Sequence, residues 1–271
     1  MEHHVSGLTN LVNKLLGKIA LSLLTALHVH PKDQTAPIPE YVVMSGVVFL
    51  LGMIGALWLK SRLSVERPGA AQQVAEFLLT NPLGYGIRDL LDENVGHGGR
   101  AFVPMVGSIS VFILLSNLLG VVPAFSSPTV HPTVPLACAT LTFLYFNLAG
   151  IRAHGPLGYV KSFTGPVWWL AWLIAPVEMI STCARMLSLT VRLWANMFSS
   201  ELIYVIFLGL LVGPVEHLAH KNIALAGAWA LLPLTIPVAF IGLHIFVAVI
   251  QTFVFTILPS IYLGIATAEE H

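Results

Sequence analysis

The chain has 271 residues, 56% of them hydrophobic and only 10% charged, with 13 basic and 13 acidic side chains and no formal net charge. Soluble domains carry roughly 25% charged residues, so this composition excludes an ordinary soluble enzyme and indicates an all-α integral membrane protein in one domain. The even charge balance gives no pull toward nucleic acid, and Cys138 and Cys183 show neither metal-ligand spacing nor a disulfide framework; no cofactor and no metal is expected.

Residues 1–40 read as an external N-terminal segment. Within it, residues 8–29 place Lys14 and Lys18 ahead of an apolar run that ends in His28, Val29, His30 and Pro31. A cleaved signal would end in small residues, so an amphipathic helix on the membrane surface fits better. Residues 41–59 form an uncharged run of about the length that spans a bilayer. Lys60, Arg62 and Arg67 follow, which sets that end in the cytoplasm and the N-terminus outside. Residues 70–94, broken by Pro82, Gly84 and Gly86, read as an amphipathic stretch on the cytoplasmic surface.

From 101 to 151 there is no Lys, Arg, Asp or Glu, and Arg100 and Arg152 bracket the stretch. Its middle holds Pro123, Ser126, Ser127, Pro128, Pro132 and Pro135, which predicts a helical hairpin with a proline-rich external turn. A cytoplasmic loop follows over 152–165 with Lys161. Residues 166–213 and 222–268 are too long for upright spans. Each would reach roughly 70 Å as a helix against a hydrocarbon core about 30 Å thick, so both are expected to be long and tilted, with a kink in the second at Pro233 and Pro237. The connection 214–222 carries Glu216, His217, His220 and Lys221 and reads as a solvated loop. The total is about five membrane helices, with the C-terminus in the cytoplasm.

The ionisable groups inside the first long segment carry the chemistry. Between 166 and 213 they are Glu178, Arg185, Arg192 and Glu201 alone. Arginine keeps its proton, and placing it at membrane depth costs roughly 2.5 kcal/mol or more, so such residues usually serve an ion path. Glu178, Arg185 and Arg192 are seven apart and share one helical face, with Asn196 on the same side. Glu201 lies about 180° around the helix from Arg192. In the second long segment His244 and Gln251 are also seven apart. Antiparallel packing would let His244 meet Glu201 as a proton-exchanging pair and Gln251 hydrogen-bond near Arg192. Glu178 with Arg185 as a structural ion pair, and His244 or Gln251 as packing groups, remain open on this reading.

At these residues the chain resembles subunit a of the F-type ATP synthase. Ser188–Ile203 (SLTVRLWANMFSSELI) is similar to that family's arginine motif; His244–Gln251 (HIFVAVIQ) and Ile261–His271 (IYLGIATAEEH) resemble its last helix, and Ser116–Pro123 (SNLLGVVP) is also similar. The resemblance implies a stator subunit that carries protons to and from a rotating c-ring, the subunit c oligomer. Its partners would be that ring, the peripheral stalk subunit b, the rest of the complex and membrane lipids. It implies Arg192 opposite the ring carboxylates, Asn196, Glu201, His244 and Gln251 along proton uptake, and Glu178 on the exit path. The two long segments would face the ring. Trp194 and Ala195 replace the family's usual Phe-Gly, and Ser199 and Ser200 its Ala-Gly. Pro128–Pro135 lacks the usual Asn- and Thr-rich pattern, with His131 and Thr133 as substitutes. With no transit peptide read, a bacterial inner membrane is expected.

Two other classes compete with this reading, a secondary transporter and a membrane subunit of a redox complex. A secondary transporter is expected to show two related halves, and no internal repeat is seen. A haem-binding redox subunit needs facing histidines at depth, and only His244 is placed there.

Overall fold

The computed structural model describes residues 7–26, 36–81, 84–122, 125–162, 168–219 and 223–268. Pro82, Pro123, His220, Lys221, most of the segment before Pro37 outside 7–26, and the tail beyond Ala268 lie outside these residues. Every described element is helical: α1 (Gly7–Ala26), α2 (Glu40–Ser61), α3 (Ala70–Leu79), α4 (Ile87–Val95), α5 (Val103–Leu119), α6 (Thr133–Ser162), α7 (Ala171–Ala219) and α8 (Ile223–Thr267), with 3-10 turns at Gly96–Phe102, Pro128–Val130 and Trp168–Leu170. Among the described residues, five helical stretches are long and apolar enough to cross a membrane: Glu40–Ser61, Gly98–Leu119, Thr133–Tyr159, Ala171–Ile203 and Ala239–Thr267.

In α1, Thr9, Asn13 and Gly17 recur every four residues and form the buried side. Asn13 reads the backbone of Ile38 on both sides, donating from Nδ2 to its carbonyl at 3.0 Å and accepting its N–H on Oδ1 at 2.9 Å. Leu11, Leu15 and Ile19 lie exposed on the other side, which suits a helix resting on the bilayer surface.

Helices α7 and α8 form the most extensive pair, with α5 and α6 packed across them and α4 along the end of α8. One core joins Ile113 of α5, Cys138 and Ala139 of α6, Leu189, Leu193 and Met197 of α7 and Phe255 of α8. A second joins Ile87 and Leu91 of α4 to Val106, Phe146 and Leu263. Lipid tails are as apolar as these side chains, so close fit and interhelical hydrogen bonds must hold the helices together. Ser110 and Thr256 hydroxyls meet at 2.7 Å between α5 and α8. Asn94 of α4 donates to Ser260 of α8 at 3.1 Å, and its carbonyl lies where a side chain on Gly264 would begin.

Two expected loops are helical, and two other segments gain detail. The stretch 70–94 divides into α3 and α4, and α4 packs its apolar side, Ile87, Leu90 and Leu91, against α8 and its neighbours. The break is a built turn in which Asp89 accepts the Asn81 N–H at 3.0 Å and Gly86 leaves no room for a side chain. Helix α6 runs on through most of the expected loop 152–165, because Gly155 takes φ +72° and lets Pro156 open a further helical stretch to Ser162. The supposed solvated loop 214–222 is helical backbone as far as Ala219. In the proline-rich turn Ser127, Pro128 and Thr129 are buried.

Candidate functional site

Helix α7 turns Thr182, Leu189, Thr190, Leu193 and Met197 into the protein. At 100° per residue its ionisable side chains fall on the flanks of that buried face. Glu178 and Arg185 bond to each other, Nη2 to Oε1 at 3.4 Å. The Arg185 guanidinium also lies over the Tyr262 ring of α8, 5.4 Å from its centre. The structural ion pair left open on the sequence is therefore present.

Arg192 differs. It is exposed on the same flank, well inside the Ala171–Ile203 span, and among the described residues it has no hydrogen bond and no ion pair. Ser188, Ala195, Asn196 and Ser199 share its side of the helix, with the exposed Val191 next to it. A permanent cation at membrane depth is costly unless something outside this chain faces it.

Asn196 and Glu201 are half-buried, and Glu201 Oε2 is buried. Gln251 is buried, and its Oε1 has no hydrogen-bond partner among the described residues. Equal rise along antiparallel α7 and α8 from the Arg185–Tyr262 contact sets Asn196 level with Gln251. The same count puts Phe255 level with Arg192, consistent with the core that Phe255 shares with Leu189 and Leu193 on either side of Arg192. Gln251 thus sits about one turn beyond the Arg192 level at which it was expected. Glu201 and His244 fall at neighbouring levels by the same count.

His244 brings in residues that sequence reasoning missed. Its Nε2 lies 3.0 Å from the Asn117 carbonyl oxygen near the end of α5. Around this point Ser127 Oγ donates to the Ser116 carbonyl at 2.9 Å, Thr129 Oγ1 donates to Asn117 Oδ1 at 2.7 Å, and the two hydroxyls are 2.7 Å apart. Two hydroxyl hydrogens serve three contacts, so one is shared. Ser116 Oγ and Asn117 Nδ2 are buried without a hydrogen bond among the described residues, so a polar cluster stands here in an apolar bundle. His131 stands at its rim, exposed, stacked on Tyr41 with ring centres 4.0 Å apart and joined to Thr133 Oγ1 at 2.9 Å. Glu40 accepts from Ser126 at the same end. The one available signal in the sequence was the polar pair Ser116–Asn117 closing an apolar run shortly before a turn rich in Ser, Thr and Pro.

The polar groups therefore fall into two sets separated along α7 and α8. One is the Glu178, Arg185 and Tyr262 set, near the end where His154 Nε2 meets the Ala268 carbonyl at 3.0 Å. The other is the His244, Asn117 and Thr129 set at the opposite end. Arg192 lies between them. No group of three or more His, Cys, Asp or Glu side chains able to hold a metal occurs among the described residues.

The family model described as ATP synthase A chain matches residues 41–264. Among curated relatives, ATP synthase subunit a of Koribacter versatilis is 36% identical over 99% of both chains. That of Solibacter usitatus is 36% identical over 88% of this chain and 91% of its own. The Syntrophobacter fumaroxidans protein of the same name is 35% identical over the full length of both. Five apolar helices, a membrane-depth arginine between two polar sets, and similarity running nearly end to end agree: the chain belongs to the ATP synthase subunit a family.

Proposed function

We propose that the chain is the proton-translocating stator subunit of a rotary F-type ATP synthase, forming two offset half-channels that load and unload carboxylates on a c-ring. The observation that carries this reading is Arg192, an exposed cation at membrane depth without a partner among the described residues. A ring carboxylate is the anion that fits it.

A proton enters through the polar cluster of Asn117 and His244, passes by Glu201, and neutralises a ring carboxylate. The neutral carboxyl then moves through lipid, where a charged one would cost several kcal/mol. On return it meets Arg192, whose fixed charge favours the ionised form, and the proton leaves past Glu178. The same charge keeps protons from passing directly between the half-channels. A potential of 100 mV contributes about 2.3 kcal/mol per proton. Asn196 and Gln251, level with each other, carry the uptake path toward Arg192. The paired Glu178 and Arg185 line the exit. Subunit b and the ring are the membrane partners. The setting is a bacterial inner membrane, with the N-terminus outside and the C-terminus in the cytoplasm.

The test is ATP-driven acidification of vesicles holding the whole complex, with ATP hydrolysis followed in parallel. Arg192→Ala is expected to abolish pumping in an assembled complex, and Glu201→Gln to slow it. Pumping at the wild-type level in Arg192→Ala would refute the proposal.

A further inference from the structure

We infer that neutral His244 is held as its Nε2–H tautomer, so that Nδ1 is the atom that takes up and releases the relayed proton, with Asn117, Ser127 and Thr129 as positioning residues. This rests on the proposed relay through His244 and specifies which ring atom carries it.

Helix α5 ends at Leu119, so the carbonyls of its last turn lack helical partners. The Asn117 carbonyl accepts from two directions, the Gly120 N–H at 3.2 Å and His244 Nε2 at 3.0 Å. A backbone carbonyl is an acceptor only. A bare Nε2 there would set lone pair against lone pair at the negative end of a helix. Turning the ring over would lay Cε1 against the same oxygen and forfeit the bond. Nε2 therefore carries the hydrogen, and in a neutral imidazole the other nitrogen is then bare.

The surroundings fix that oxygen in place. Ser127 ties down the neighbouring Ser116 carbonyl, and Thr129 holds the Asn117 side chain. Ser116, Asn117 and Thr129 are fully buried and Ser127 nearly so. Position 120 is glycine at the point of closest approach: a Cβ there would lie 3.6 Å from His244 Nε2 and 2.9 Å from the Ser127 Cβ. A proton that binds Nδ1 forms the cation, and the same Nδ1–H then leaves, while the Nε2 bond stays made. The ring acts as a swing-free shuttle, taking and giving at one atom, instead of passing a proton in at one nitrogen and out at the other. Glu201, at a neighbouring level on α7, is the carboxylate the proposed relay pairs with Nδ1.

The experiment is nitrogen NMR on the assembled complex in lipid, labelled with 15N-histidine, using His244→Gln to identify the His244 signals by subtraction. The expected neutral-state pattern is a protonated Nε2 and a bare Nδ1; a bare Nε2 overturns the assignment. Thr129→Val is expected to give mixed tautomers, and Thr129→Ser to restore the single Nε2–H form. An unchanged pattern in Thr129→Val removes the positioning role. Proton conduction by His244→Gln separates the two levels. Wild-type conduction would end the relay reading itself, whereas lost conduction together with a bare Nε2 in the wild type would end only this inference.

Discussion

Replacing Arg192 by leucine should improve the membrane chain while destroying its work. An arginine at the centre of a spanning helix costs about 2.5–3.5 kcal/mol on insertion scales, and a leucine there gains about 0.3–0.6 kcal/mol. The exchange is therefore worth up to about 3–4 kcal/mol in insertion. Among the described residues no contact of Arg192 offsets that gain. Arg192 has no ion pair or hydrogen bond to lose among the described residues, and the buried Leu189, Leu193 and Met197 beside it keep their packing. Cell-free insertion of the chain into vesicles reads the effect, since the other subunits are absent. The expected result is insertion of Arg192→Leu at least as complete as wild type, with ATP-driven pumping lost once the complex is assembled. Reduced insertion, or rapid proteolysis of the inserted variant, would show that Arg192 holds the fold, and the reasoning from its isolation would fail.

Three further substitutions probe the packing. Ile113→Ala empties a fully buried position between four helices and is expected to cost about 2–5 kcal/mol, read as earlier thermal release of the chain from the solubilised complex. Gly264→Val drives a side chain into the Asn94 carbonyl; such overpacking costs about 1–3 kcal/mol and should speed amide hydrogen exchange in α4, whereas unchanged protection would contradict the close approach. Glu178→Gln removes a pair whose side chains are 27% and 41% exposed, so the loss of stability is expected to stay within about 1 kcal/mol. A drop in pumping at unchanged thermal stability would then assign Glu178 to the proton path.

Much of the architecture was legible because membrane spans are written locally. The length of an uncharged run, the arginines beside it and the spacing of Glu178, Arg185 and Arg192 are properties of neighbouring residues, and they survive into the structure as α2, α5, α6 and the α7 stripe. Conformation between spans was less legible. Gly155–Pro156 reads as a break, yet glycine's freedom at φ +72° makes it a corner from which a further helical stretch starts. The α4 segment reads as amphipathic and superficial because its charged face is evident. What its apolar face meets is decided by α8, some 170 residues later.

The sequence by itself determined that this chain crosses the membrane as helices, where the ionisable groups stand along α7 and α8, and that Arg192 lies within an apolar run. Those follow from composition and helical periodicity, which need no partner. The polar cluster around His244 was decided only by tertiary structure. His244 and Asn117 are 127 residues apart, and the bond between them uses a backbone carbonyl that every residue possesses, so no side-chain pattern announces it. Packing of α5 against α8, and a turn that buries Ser127 and Thr129, bring an acceptor and a ring nitrogen within 3.0 Å. Local sequence patterns carry side-chain character, and a bond between a ring and a distant backbone oxygen follows only from how the helices pack.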